Sequence, residues 1–193
     1  MKKTRVERPT VEDLETELNR VRYHSRYQTV LRSTVYSLIT VAAVAVLVAT
    51  LWLPVLRIYG NSMTPTLQDG QIVFSVKTRN MSRGDIVAFY YNNKVLIKRV
   101  IASAGDWVDI DADGTVYVND EELIEPYIKE KSLGDADIAF PYQVPDGKYF
   151  VLGDHRETSA DSRHTTVGCI DPEQLVGKIV FCVWPMDRFG AVE

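Results

Sequence analysis

Charged side chains stop at Arg32 and do not return until Arg57. The 24 residues between them, STVYSLITVAAVAVLVATLWLPVL, carry no charge at all. As a helix the run exceeds the ~20 residues needed to cross a hydrocarbon layer about 30 Å thick. It is also longer than the roughly 7–15 apolar residues of a cleavable signal sequence. It predicts one transmembrane helix over residues 33–56, an uncleaved signal-anchor with Trp52 as the aromatic anchor of its outer end. Upstream, Thr10-Val11-Glu12-Asp13 has the form of a helix cap with an acid at N3. Val11, Leu14, Leu18 and Val21 then recur at helical spacing. Residues 1–32 are thus a cytoplasmic N-terminal segment with an amphipathic helix, which packs on a partner, lies at the membrane or runs on into the span.

After Leu67 the pattern changes to β. Strands are predicted at Gln71–Val76, Ile86–Tyr91 and Lys94–Ile101, the last two joined at Asn92-Asn93. Trp107–Ile110 and Thr115–Val118 alternate around an Asp113-Gly114 turn. Asn119 to Gly147 is acidic and polar, with Pro126, Pro141 and Pro145, and reads as irregular. Lys148–Leu152 and Lys178–Trp184 are further strands, with Pro172 opening a short helical turn before the second. The fold class is mainly β: an antiparallel sheet with a small β-rich insertion or cap, preceded by the transmembrane helix. The core occupies 57–103 and 148–193, and the insertion 104–147.

Charge gives the orientation. The first 32 residues hold eight basic and five acidic side chains, and the chain as a whole is −4, so residues 57–193 carry −7. Arg20, Arg22, Arg26 and Arg32 crowd the near side of the span, which places the N-terminus in the cytoplasm by the positive-inside rule. The outer part is acidic, which argues against a nucleic-acid partner. The three histidines, His24, His155 and His164, are scattered, and no metal spacing appears. No metal and no cofactor is expected. Cys169 and Cys182 leave both a disulfide and free thiols open.

One stretch reads as neither helix nor central strand: Tyr59-Gly60-Asn61-Ser62-Met63-Thr64-Pro65-Thr66-Leu67. Gly60 and Pro65 make it a tight turn with the Ser62 hydroxyl at its apex. A serine needs a base to become a nucleophile. Lys98 fits, because a lysine among apolar neighbours has its charged form penalised and its pKa drawn down from about 10.4. It lies between Val95-Leu96-Ile97 and Arg99-Val100-Ile101.

Four segments stand in order behind the anchor. They are Ser62-Met63-x-Pro65-Thr66-Leu67, Arg83-Gly84-Asp85-Ile86-Val87, Lys98-Arg99-Val100-Ile101 with Gly105-Asp106, and Gly153-Asp154-x-Arg156-x-x-Ser159-x-Asp161-Ser162-Arg163. Over about residues 33–185 the chain resembles the bacterial type I signal peptidases, leader peptidases of family S26 with a Ser/Lys dyad. The resemblance implies that Ser62 is the nucleophile and Lys98 its general base. It makes Ser159 the hydroxyl that orients the lysine amine and Asp161 the acid that holds Arg163, with Asp154 and Arg156 in support. Ile58 and Ile97 match positions lining the pocket for the small residue before the cut. The physics agrees: a carboxylate touching the amine would raise its pKa, so Asp161 belongs one layer back, on Arg163.

Two positions depart from the pattern. Gly60 stands where some relatives carry a hydroxyl that contributes to the oxyanion hole, so the hole must rest on backbone N–H groups, chiefly that of Ser62. His155 stands where Asn is usual. Lys98, and not His, separates the chain from the endoplasmic-reticulum type.

The expectation is a membrane-bound serine endopeptidase of the plasma membrane, catalytic part outside, that removes signal peptides after small-x-small sites. Its partners would be preprotein signal peptides, the lipid bilayer and the secretion translocon. Substrate would bind extended, along strand edges near Tyr59 and Leu96. A non-catalytic anchored relative would lack the dyad. A self-cleaving repressor, which shares a Ser/Lys dyad on a similar core, would carry a DNA-reading domain in place of the span.

Overall fold

The computed structural model describes residues 11–52 and 54–192, and within the helix the side chains of all but 12, 13, 19, 21, 23–25 and 49–52. The cap at Thr10, the cations Lys2, Lys3, Arg5 and Arg8, and the side chains of Val21, His24 and Trp52 lie outside the described residues. Two compact units divide at Ala49/Thr50.

The first unit is helical. One helix, α1, runs without a break over Val11–Trp52. The lead-in thus continues directly into the apolar run. At 1.5 Å per residue its 42 residues span about 63 Å, roughly twice a hydrocarbon layer. The window Arg26–Val48 is long and apolar enough to cross a membrane, and none of it is buried within the chain. The predicted span of 33–56 is cut short at its outer end. Pro54 lacks an N–H and disfavours helical backbone before it, so Val55–Arg57 form strand β1 instead.

The second unit is antiparallel β. Seven strands form one sheet among the described residues: β1, β2 (Ile72–Val76), β3 (Ile86–Tyr91), β4 (Lys94–Ser103), β9 (Tyr149–Leu152), β10 (Leu175–Trp184) and β11 (Gly190–Ala191). The order is β1-β2-β10-β3-β4-β9, with β11 beside β10. The hairpin β3–β4 turns at Asn92, whose φ of 43° is tolerated best by Asn and Gly. Its register sets Val87 opposite Lys98 and Ile86 opposite Arg99. A smaller sheet holds β5 (Trp107–Ile110), β6 (Val116–Val118), β7 (Glu121–Glu122) and β8 (Tyr142–Gln143), in the order β7-β6-β5-β8.

The small sheet shares a core with the large one. Val108, Ile110, Val116 and Val118 pack in one cluster with Ile101 and Ala102 of β4 and Phe150 and Leu152 of β9. Phe89 and Phe150 are fully buried, and each such side chain contributes about 1.5–3 kcal/mol of transfer energy. The segment 104–147 is therefore fastened to the core by its own apolar residues.

Strand pairing leaves two edges free near the serine turn. β9 pairs with β4 from Arg99 to Ser103, so Lys94–Lys98 has β3 on one side only. β1 pairs with β2 alone. Leu56, Ile58 and Tyr59 from the β1 end, and Val95, Leu96 and Ile97 from β4, line the same cleft. The sheet must therefore curl until its first strand faces its fifth.

Candidate active site

The serine turn is held by its own backbone. Gly60 has φ of +83°, a conformation that suits glycine, and its N–H donates to Asp69 Oδ1 at 2.8 Å. The Thr64 N–H and hydroxyl both donate to the Asn61 carbonyl, at 3.0 and 2.8 Å, and the Leu67 N–H donates to Met63 at 2.8 Å. Leu67 and Met63 are buried beneath the turn and anchor it to the core. From the other side the His155 N–H donates to the Ser62 carbonyl at 3.0 Å.

Lys98 comes from β4 and is 2% exposed. In its ammonium form Nζ donates to Ser62 Oγ at 2.8 Å. Burial draws its pKa well below the ordinary lysine value, to about 8; Asp161 opposes the shift, Arg163 reinforces it, and Asp154 opposes it. A hydroxyl within hydrogen-bond reach of a lysine that loses its proton near neutrality is the geometry of a nucleophile and its base.

The loop after β9 supports this pair. Ser159 is 4% exposed and its Oγ has no hydrogen-bond partner among the described residues. A β-carbon at Gly153 would lie 2.2 Å from that oxygen and 2.6 Å from the Ser62 carbonyl oxygen. Ser159 is therefore packed against Gly153, beside the serine turn. Asp161 is fully buried; it accepts from Arg163 Nε at 2.8 Å and Nη2 at 2.9 Å, and from the Gly153 N–H at 3.0 Å. Arg163 also donates to the carbonyls of Leu133 and Arg156, at 2.6 and 2.8 Å. Asp161 has thus spent its charge on Arg163, one layer from the amine.

Asp154 sits elsewhere in the same layer. It accepts from Arg99 Nε at 3.0 Å and Nη2 at 2.8 Å, and from the Thr66 hydroxyl. Arg99 reaches the Gly84 carbonyl at 2.9 Å and stacks 3.8 Å from the centre of the Tyr127 ring. Arg156 donates to the Gly153 carbonyl at 3.0 Å and forms a buried two-bond pair with Glu125. Burial, then Glu125, pushes the Tyr127 hydroxyl above its usual range.

Of the expected loop residues, Asp161 holds Arg163, Ser159 packs near the serine turn without bonding either member of the pair, and Asp154 and Arg156 turn instead to Arg99 and Glu125. Ile58 and Ile97 line a cleft of about 90 Å³ that ends at Ser62. Gly60 itself lines this cleft and offers no side-chain donor; a β-carbon there would meet nothing within 4 Å. Four residues had no assigned role in the sequence: Thr66, Arg99, Glu125 and Tyr127. Arg99 lies inside the Lys98 segment, so its position was a usable signal. Glu125 and Tyr127 sit in an irregular stretch and carried none. Cys169 and Cys182 are both free thiols, with Cys182 donating weakly to the Trp184 carbonyl at 3.3 Å. No cluster of His, Cys, Asp and Glu suited to a metal occurs among the described residues.

Comparison with known proteins defines the class first. A family described as "Signal peptidase, peptidase S26" matches residues 31–184, which makes this chain a peptidase. Signal peptidase IB of Staphylococcus aureus is 40% identical, over 68% of this chain and 78% of its own length. Signal peptidase I of Streptococcus pneumoniae is 33% identical, over 69% of this chain and 83% of its own length. The crystal structure of a signal peptidase I from Enterococcus faecalis is 30% identical, covers 51% of this chain and 96% of that one, and has a TM-score of 0.42. The chain belongs to the signal peptidase family, peptidase S26, with the type I enzymes. Its N-terminal helix is long and apolar enough to cross a membrane, which with the family suggests a membrane-anchored member.

Proposed function

We propose that Ser62 and Lys98 are the nucleophile and general base with which this chain removes signal peptides from secretory preproteins, after small-x-small sites. The observation that carries the reading is the 2.8 Å contact between Lys98 Nζ and Ser62 Oγ, made by a lysine almost wholly removed from water. The neutral amine takes the hydroxyl proton as the oxygen attacks the scissile carbonyl. The resulting ammonium returns the proton to the leaving amine, and the amine then activates water to release the acyl-enzyme. Ser159 packs beside the turn without adding charge, but its Oγ makes no hydrogen bond to the amine, so the orienting contact expected of it is not formed here. The Ser62 N–H, which donates to no described residue, faces the developing oxyanion.

Substrate lies extended in the cleft between β1 and the free edge of β4, completing both edges by β-augmentation. A cleft of about 90 Å³ flanked by Ile58 and Ile97 suits a methyl-sized side chain before the cut. The eight basic residues before the span favour a cytoplasmic N-terminus and an extracytoplasmic catalytic unit at the plasma membrane. The partners are the preprotein signal peptide, the bilayer and the secretion translocon. The test is cleavage of a purified preprotein in detergent by Ser62→Ala and Lys98→Ala. Each is expected to lose at least about a thousandfold in kcat while staying folded. Full activity in either would overturn the reading.

A further inference from the structure

The small cleft ends at Ser62, and a second, larger hollow begins just past the same turn. Ser62 and Met63 line the first, whereas Thr64 lines the second. Its far walls are Lys129 and Glu130 from the segment after β7, and His155, Arg156 and Glu157 from the loop after β9. The hollow measures about 440 Å³, against about 90 Å³ for the cleft. That falls within the roughly 300–1,000 Å³ of ordinary ligand sites. The His155 N–H that braces the Ser62 carbonyl fixes this wall directly to the nucleophile.

The two recesses differ in chemistry as well as size. The cleft is lined chiefly by aliphatic side chains, the hollow by polar ones. Arg156 is already paired with Glu125. Lys129, Glu130 and Glu157 are exposed and have no ion-pair partner among the described residues, so their charges are available to a ligand. Lys129 and Glu130 come from one lining segment, Glu157 from the other.

An extended chain whose carbonyl carbon lies against Ser62 must continue past it on the other side. The small recess takes the residues before the cut, so the residues after the cut have to cross the Thr64 side of the turn. We propose that the polar hollow receives the first residues of the mature chain, and that Lys129 and Glu157 set a charge preference there. This rests on the reading of Ser62 as the nucleophile. It adds a specificity surface for the leaving side of the substrate, where polar and charged residues fit and large apolar ones do not.

The experiment uses the full-length protein and synthetic preprotein segments identical up to the cut. They differ only in the next three residues: acidic, basic or neutral polar. The quantity read is the ratio of kcat/KM for acidic over basic substrates within each variant, which cancels any general loss of activity. Lys129→Glu is expected to lower that ratio about threefold or more, and Glu157→Lys to raise it by a similar factor, as expected for reversing an exposed charge. Both shifts should shrink in 0.5 M salt, because exposed charges are screened. As a second measurement, a photoreactive residue placed second after the cut, bound to Ser62→Ala, should crosslink to residues 129–132 or 155–157. Unchanged ratios in both variants, or crosslinks confined to the Ile58 and Ile97 cleft, would overturn the proposal while leaving the dyad untouched. Undiminished cleavage by Ser62→Ala would instead remove the reading on which it rests.

Discussion

Gly153 and Ser159 touch so closely that no other residue fits at position 153. A β-carbon there would sit 2.2 Å from Ser159 Oγ, inside the radius of any non-bonded contact, and 2.6 Å from the Ser62 carbonyl oxygen. Two parts of the site therefore rest on one missing side chain. Gly153→Ala is expected to lower kcat at least tenfold with little change in KM, and to cost about 1–3 kcal/mol of stability from overpacking. Kinetics on a preprotein and thermal unfolding of the same sample check it. A variant with wild-type kcat would show that Ser159 can move without consequence.

The buried amine sets the response to pH. Lys98 titrates near 8, well below the ordinary 10.5, mainly because burial penalises its charge. The free enzyme's kcat/KM should rise with pH through a limb near 8 and then level. A limb near 10 would mean a solvated lysine. The same shift affects stability. Between about pH 8 and 10.5 the unfolded lysine holds a proton that the folded one has released, so this group's contribution to stability rises with pH across that window. Below pH 8 the folded state carries a penalty of about 3 kcal/mol. Lys98→Met should therefore be inactive yet more stable than the parent at pH 7, with the difference vanishing above pH 10. Denaturant melts at the two pH values would show the crossover.

Glu125 and Arg156 form a pair whose side chains are each 1% exposed. Removing one partner strands a buried charge, which costs about 3–5 kcal/mol. Glu125→Ala should unfold at markedly lower denaturant and lose activity, since Arg156 would release the Gly153 carbonyl. Glu125→Gln keeps the shape and should recover part of the stability. If both variants match the parent, the pair holds nothing in place.

Much of this fold was written in local pattern. The strand Ile86–Tyr91 has the bounds its apolar run predicts, and the Asn92-Asn93 turn joins it to β4 as expected. That Ser62 and Lys98 meet was legible because each sits in a short segment with its own signature. An uncharged run carries the expected span past Pro54 to residue 56, although proline's missing donor marks the stop and the helix ends at Trp52. Glu125 and Tyr127 were invisible for another reason. Their partners, Arg156 and Arg99, lie 31 and 28 positions away, and they meet only because an irregular segment folds back across the core. No periodicity encodes such a return.

Open strand edges ordinarily invite a neighbour's strand, and proteins blunt them with charge or bulges. Here the two open rims of the main sheet are turned inward upon each other. The recess between them measures about 90 Å³, far too little for the edge of a second folded sheet. The bend that builds the cleft thus doubles as protection against self-association, and a variant that flattened the sheet would be expected to clump before it unfolded.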